Sequence, residues 1–193
     1  MTNRIKNNIE SKIDFKLSKV DWDKFVQFIT KRSFRKKEML ISAGDYSNQL
    51  YFVNSGLLYS YYISNDAQKH VIQFAQEDYW IADLYSFFSG KQALYTIEAL
   101  EAAEIISISK EKFEKACLEI PKFERFFRIL IQNAYVSNQF RLTQSFSENA
   151  EARYLSLLDK QPTIFQRAPQ YLIASYLGIK PQSLSRIRKK LKK

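Results

Sequence analysis

Apolar positions along the chain fall first into a helical rhythm, then into a long stretch of alternation, and then into a helical rhythm again. Trp22, Phe25, Val26 and Ile29 recur at helical spacing over residues 21–30, with Asp21 placed to cap, and predict a short amphipathic helix. Between Glu38 and Ser109 the residues alternate or run in short β-branched and aromatic blocks at 50–53, 57–63, 70–74, 95–97 and 105–108. Turn chemistry separates the blocks at Ala43-Gly44-Asp45, Asn54-Ser55-Gly56, Ser64-Asn65-Asp66 and Ser89-Gly90. Many short strands at this spacing predict a β-barrel or jelly roll.

Strand signals stop after Ser109. Residues 110–118 read as a short helix ending before Pro121, where the proline ring cannot continue a helix. From 121 to about 145, Phe123, Phe126, Phe127, Leu130, Ile131, Ala134, Tyr135, Leu142 and Phe146 form a stripe of helical period, with Glu124, Arg125, Arg128 and Arg141 off it. Such a helix spans roughly 38 Å at 1.5 Å per residue, more than a small barrel needs as a lid. It is either a core helix packed within its own chain or a coiled-coil-like seam between two copies, carried by Phe127, Leu130, Ile131, Ala134, Tyr135 and Leu142. Ser147 is placed to cap a further helix, with Ala150, Tyr154, Leu157 and Leu158 on one face and Gln161-Pro162 at its end.

The last segment has the most specific spacing. Pro169 suits the first position of a helix whose apolar face is Leu172, Ile173, Tyr176 and Leu177; Gly178 ends it, and Pro181 opens a second helix locked by Leu184, Ile187 and Leu191. Two helices crossing through a short turn need a small residue at the crossing, a residue tolerant of positive φ in the turn and apolar residues on the second helix, and Ala174, Gly178, Leu184 and Ile187 supply them. This is helix-turn-helix spacing. Lys180 stands where a Ser or Thr oxygen would ordinarily cap the second helix.

Composition sharpens this reading. The chain has 193 residues, 46% of them hydrophobic, enough for two unequal domains, and a net charge of +10, which attracts polyanions. Lys180, Arg186, Arg188, Lys189, Lys190, Lys192 and Lys193 crowd the C-terminus with no acidic residue among them. Gln182, Ser183 and Arg186, near the start of the second helix, are candidate readers of base edges; Lys180, Ser185, Arg188, Lys189 and Lys190 are candidate phosphate contacts. A solvated or membrane-lying basic helix would not need the Ala, the Gly and the apolar lock, and no aromatic anchor accompanies Leu184, Ile187 and Leu191. The single cysteine, Cys117, excludes an internal disulfide and a cysteine-based zinc or iron–sulfur site, and no metal site is expected. Residues 1–17 lack the apolar stretch of an export signal, and no run of about 20 apolar residues could cross a membrane. A cytoplasmic location without a membrane partner is expected.

These motifs together resemble the family of the cyclic-AMP receptor protein and the fumarate-nitrate reductase regulator. The resemblance runs from about Trp22 to Leu191. It rests on Ala-Gly-Asp at 43–45, Leu-Tyr-Phe-Val-Asn-Ser-Gly at 50–56, Glu-Ala-Leu-Glu-Ala-Ala-Glu-Ile at 98–105, Ile-Ala-Ser-Tyr-Leu-Gly-Ile at 173–179 and Leu-Ser-Arg-Ile-Arg-Lys-Lys-Leu at 184–191. It implies an α+β chain: a cyclic-nucleotide-binding-like β jelly roll that senses an effector over 1–118, a long dimerisation helix over 119–146, and a winged-helix-like helix-turn-helix DNA-binding domain over 147–193. The expected partners are double-stranded DNA and a second copy of the chain, with RNA polymerase and an unidentified small-molecule effector as further candidates.

Departures from the family pattern limit what carries over. Members that bind a cyclic nucleotide resemble one another in a Gly-Glu pair for the ribose and an Arg-Ser or Arg-Thr pair for the cyclic phosphate; here the matching positions hold Ala82-Asp83 and Ala93-Leu94. Asp83 could accept from a hydroxyl, but no arginine faces a phosphate, and Lys91 lacks the planar fork. The oxygen-sensing branch carries several cysteines, and the haem-sensing members a histidine, for which His70 is the one candidate. No cofactor is expected: not cyclic AMP, haem or an iron–sulfur cluster. Phe74, Asp83, Tyr85 and Tyr95 could instead line a pocket for an uncharged effector, or their rings could be barrel core.

The leading expectation is a homodimeric transcription regulator reading a pseudo-palindromic operator. The alternative is a non-specific nucleic-acid-binding or ligand-binding module without a gene-control role. No acid–base or nucleophile pair points to an enzyme.

Overall fold

The computed structural model describes residues 3 to 191. Two helices open the chain, α1 (Asn3–Ile13) and α2 (Lys19–Phe28). The first carries no uninterrupted apolar pattern, yet Ile5, Ile9 and Ile13 stand four apart and are all buried. Interspersed charges masked that stripe. In α2 the cap is Ser18, whose hydroxyl accepts the Asp21 N–H, and not Asp21, whose carboxylate pairs with Lys122 at 2.8 Å.

Eight strands follow among the described residues, β1 (Ile29–Phe34), β2 (Met39–Ile41), β3 (Gln49–Ser55), β4 (Leu58–Ile63), β5 (Lys69–Ala75), β6 (Trp80–Ile81), β7 (Thr96–Ala99) and β8 (Ala103–Ser109), with α3 (Leu84–Ser89) between β6 and β7. They form two four-stranded sheets in the orders β1-β8-β3-β6 and β2-β7-β4-β5, and every pairing is antiparallel. In β3, Tyr51 and Val53 point into the barrel with Leu58, Ile97 and Ile105, while Leu50 and Phe52 meet the helices outside. Burial on both faces explains why this strand reads as a run rather than as alternation. Gly56, between β3 and β4, has φ +93°, and a Cβ there would lie 2.5 Å from the Ala102 carbonyl oxygen, so no other residue fits.

The remainder is helical: α4 (Lys110–Glu119), α5 (Pro121–Ser147), α6 (Ala150–Lys160), α7 (Ile164–Arg167), α8 (Gln170–Tyr176) and α9 (Pro181–Leu191). Helix α5 continues through Ser147, which was expected to cap the next helix; its hydroxyl instead donates back to Thr143, and Asn149 caps α6 by accepting the Ala152 N–H. Phe123, Phe126 and Phe127 in the first turns of α5 are buried in the chain's own core. Phe127, expected on a seam between copies, therefore packs against Trp80 and Phe113 of its own chain. Beyond it Leu130, Ile131 and Ala134 are partly buried, and Tyr135 and Leu142 are exposed, as are Val136, Phe140 and Phe146.

The C-terminal helices dock on the outer face of the second sheet. Leu57, Tyr59, Tyr61, Val71 and Phe74 share one apolar cluster with Leu172, Ile173, Leu177, Leu184 and Ile187. Ser175 of α8 closes the free edge of β5, its hydroxyl accepting the Val71 N–H at 3.0 Å and donating to the Lys69 carbonyl at 2.7 Å. The Arg167 guanidinium grips Glu77 and Glu101 on two barrel turns, with nearest distances of 2.7 and 2.6 Å. No strand follows β8 among the described residues, and α7 links α6 to α8.

Candidate nucleic-acid interface

Helix α8 starts just after Pro169, whose carbonyl accepts from Leu172 and Ile173, and closes on Gly178 at φ +65°. The Gly178 and Ile179 N–H groups return to Ser175 and Ala174, 3.0 Å each, which satisfies carbonyls that a helix end leaves orphaned. A Cβ on Gly178 would meet nothing within 4 Å, so only its left-handed backbone demands glycine. Arg153 of α6 braces the turn by donating to the Leu177 carbonyl at 3.1 Å and to that of Glu148 at 2.6 Å. Sequence reasoning passed over Arg153, because an arginine that bonds backbone carbonyls leaves no pattern.

Lys180, ahead of α9, has no side-chain acceptor with which to cap it; its carbonyl takes the Ser183 and Leu184 N–H groups, and Pro181 needs none. Leu184 and Ile187 are buried against α8 and the barrel face, each contributing about 1.5 to 3 kcal/mol. That anchoring decides which residues face outward. Gln182, Ser185, Arg186 and Lys189 are exposed at offsets of three, four and seven and so share one face, with Lys180 exposed just before the helix. Ser183 and Arg188 are half-buried at the edges of that face. Lys190, expected on phosphate, is held at 2.7 Å by Glu151 of α6. Lys192 and Lys193 lie outside the described residues.

The candidate effector residues are not gathered into one pocket. Phe74 lies on the outer side of its sheet, its ring 5.4 Å from that of Tyr176, because α8 covers that face. Tyr85 is exposed and Tyr95 half-buried. Asp83 is fully buried, and its carboxylate is taken up within the chain: one oxygen accepts the Ser86 N–H at 2.8 Å, the other those of Leu94 at 2.7 Å and Tyr95 at 2.9 Å. His70 is stacked on Tyr62 with its Nε2 3.0 Å from the Ser64 hydroxyl. Cys117 packs at the edge of the helical core, where burial pushes its thiol up to about 11, far from a reactive thiolate.

Residues 31–119 match the cyclic nucleotide-binding domain family. The chain is 26% identical to the fumarate and nitrate reduction regulatory protein of Vibrio cholerae, over 91% of this chain and 74% of that protein. It is 24% identical to the anaerobic regulatory protein of Haemophilus influenzae, over 91% of this chain and 72% of that one. Among solved structures, FixK2 from Bradyrhizobium japonicum shares the fold with a TM-score of 0.74 and 17% identity, over 85% of this chain and 84% of that one.

Proposed function

We propose, from the premise that the chain belongs to the family of the cyclic-AMP receptor protein and the fumarate-nitrate reductase regulator, that it is a sequence-specific DNA-binding transcription regulator working as a homodimer. The observation that carries this is α9: its apolar side is fixed by Leu184 and Ile187, and its outward face presents Gln182, Ser185, Arg186 and Lys189. Arg186 suits guanine and Gln182 adenine at base edges, while Lys189, Lys180 and Ser185 suit phosphate. Pairing two copies along α5 beyond its buried first turns, through exposed Tyr135 and Leu142 with partly buried Ile131 beside them, would bury apolar surface that otherwise stands in water and set two α9 helices for successive major grooves.

The barrel side does not fit a cyclic nucleotide. Small, buried Ala93 stands where a phosphate-binding arginine is needed, and the Asp83 carboxylate is enclosed and bonded to backbone. Our reading is a regulator without cyclic AMP, haem or a cluster, without enzymatic activity, and cytoplasmic; no helix among the described residues is long and apolar enough to cross a membrane. RNA polymerase is a fitting further partner for such a regulator.

The test is selection of sheared genomic DNA by the purified, ligand-free protein at physiological salt. Enrichment of a two-fold motif is expected, and Leu142→Glu should give a monomer that no longer enriches it. Recovery of DNA without any motif would return the reading to non-specific coating.

A further inference from the structure

The Asp83 carboxylate does more than cap a helix. A cap needs one acceptor for the Ser86 N–H, but here the second oxygen reaches eleven and twelve residues along the chain to Leu94 and Tyr95. Three backbone donors therefore converge on one buried carboxylate, a geometry in which each bond is charge-assisted and shielded from bulk solvent. Around it, Ser86 accepts the Ser47 N–H at 2.8 Å and donates to the Lys91 carbonyl at 2.6 Å, so the turn before β3, α3 and the chain leading into β7 are tied at one point. The tie reaches the long helix. Phe87 of α3 stands 5.4 Å from Phe113, and Phe113 4.7 Å from Phe127 of α5.

We propose that Asp83 is the barrel's built-in ligand: its carboxylate fills an anion cradle formed by the N–H groups of Ser86, Leu94 and Tyr95 and fixes α3 against α5 with no small molecule bound. The protein is thereby held in one conformation, and its amount in the cell, rather than an anionic effector, sets its output. A free anion cannot enter, because the occupant is covalently part of the chain at very high effective concentration. Removing the carboxylate makes the cradle accessible to an anion from solution. The tie stands whether or not the chain reads an operator, so melting and DNA binding test the two separately.

The experiment compares the full chain with Asp83→Ala and Asp83→Asn, melted in sodium chloride and in sodium formate of equal ionic strength. Formate is the group that Asp83→Ala deletes. The unsubstituted protein is expected to melt at the same temperature in both salts. Asp83→Ala should melt about 5 °C lower in chloride and recover much of that loss in formate. Asp83→Asn should melt low in both, because its amide fills the cradle while placing a donor against donors. On DNA that the parent binds, Asp83→Ala should lose about fivefold in affinity in chloride and regain it in formate. An Asp83→Ala protein as stable as the parent, or lowered but indifferent to formate, overturns the proposal. So does a parent whose melting rises with formate or cyclic AMP. If the alanine variant does not fold, Asp83→Asn decides: melting equal to the parent's refutes the tie.

Discussion

Two clusters of polar groups sit at opposite ends of the sequence logic, and the chain treats them in opposite ways. At Asp83 both carboxylate oxygens are turned inward and matched to backbone donors within the same chain. On α9 the side chains of Gln182, Arg186 and Lys189 are exposed, and among the described residues no hydrogen bond or ion pair engages them. Buried polar groups must be satisfied internally, whereas exposed cations are stable in water and free to exchange it for a partner. The difference separates a site that has become structure from one that still offers chemistry. Lys190 stands between the two, on α9 but paired with Glu151.

The contrast breaks most severely if the anchor of α9 is removed. Leu184→Ala should cost about 2 to 5 kcal/mol of stability in the C-terminal helices, read by denaturant unfolding, and should scatter the outward face. Next in size, Arg186→Ala should lose about 1 to 3 kcal/mol of discrimination at one operator position with the fold intact. Competition between the selected operator and single-base variants measures it, and an unchanged preference would place base reading elsewhere.

The docking between barrel and C-terminal helices gives a pH signature. Burial alone would raise Glu77, but the Arg167 guanidinium and the Gly56 N–H outweigh it and hold the carboxyl below its ordinary 4.5. A carboxyl depressed in the folded state stabilises above its unfolded value and loses that contribution as pH falls through the folded one. Stability should therefore decline on the acid side of about pH 4.5, and Arg167→Gln should lower stability at neutral pH and shrink that acid decline, as urea midpoints between about pH 3 and 6 would reveal. Smaller still, Lys189→Ala should weaken binding to all duplexes alike and flatten the salt slope by about 0.9, whereas Lys190→Ala, already paired, should change it less.

Local chemistry determined much by itself. The Ala174, Gly178, Leu184 and Ile187 spacing places both C-terminal helices and the turn between them, because positive φ and an apolar lock are demands on single residues. Turn-forming residues and strand blocks likewise marked out the barrel. Short or charge-interrupted elements escaped: α1 hides three isoleucines among charges, and β6 has only Trp80 and Ile81. What only the tertiary structure decided was which face each residue serves. By sequence Phe74 is open between pocket and core and Phe127 between seam and core, and the choice falls to α8, which covers the first, and to Trp80 and Phe113, which enclose the second. The Asp83 tie joins residues eleven and twelve apart through backbone N–H groups, which every non-proline residue possesses, so no pattern of side chains could have announced it.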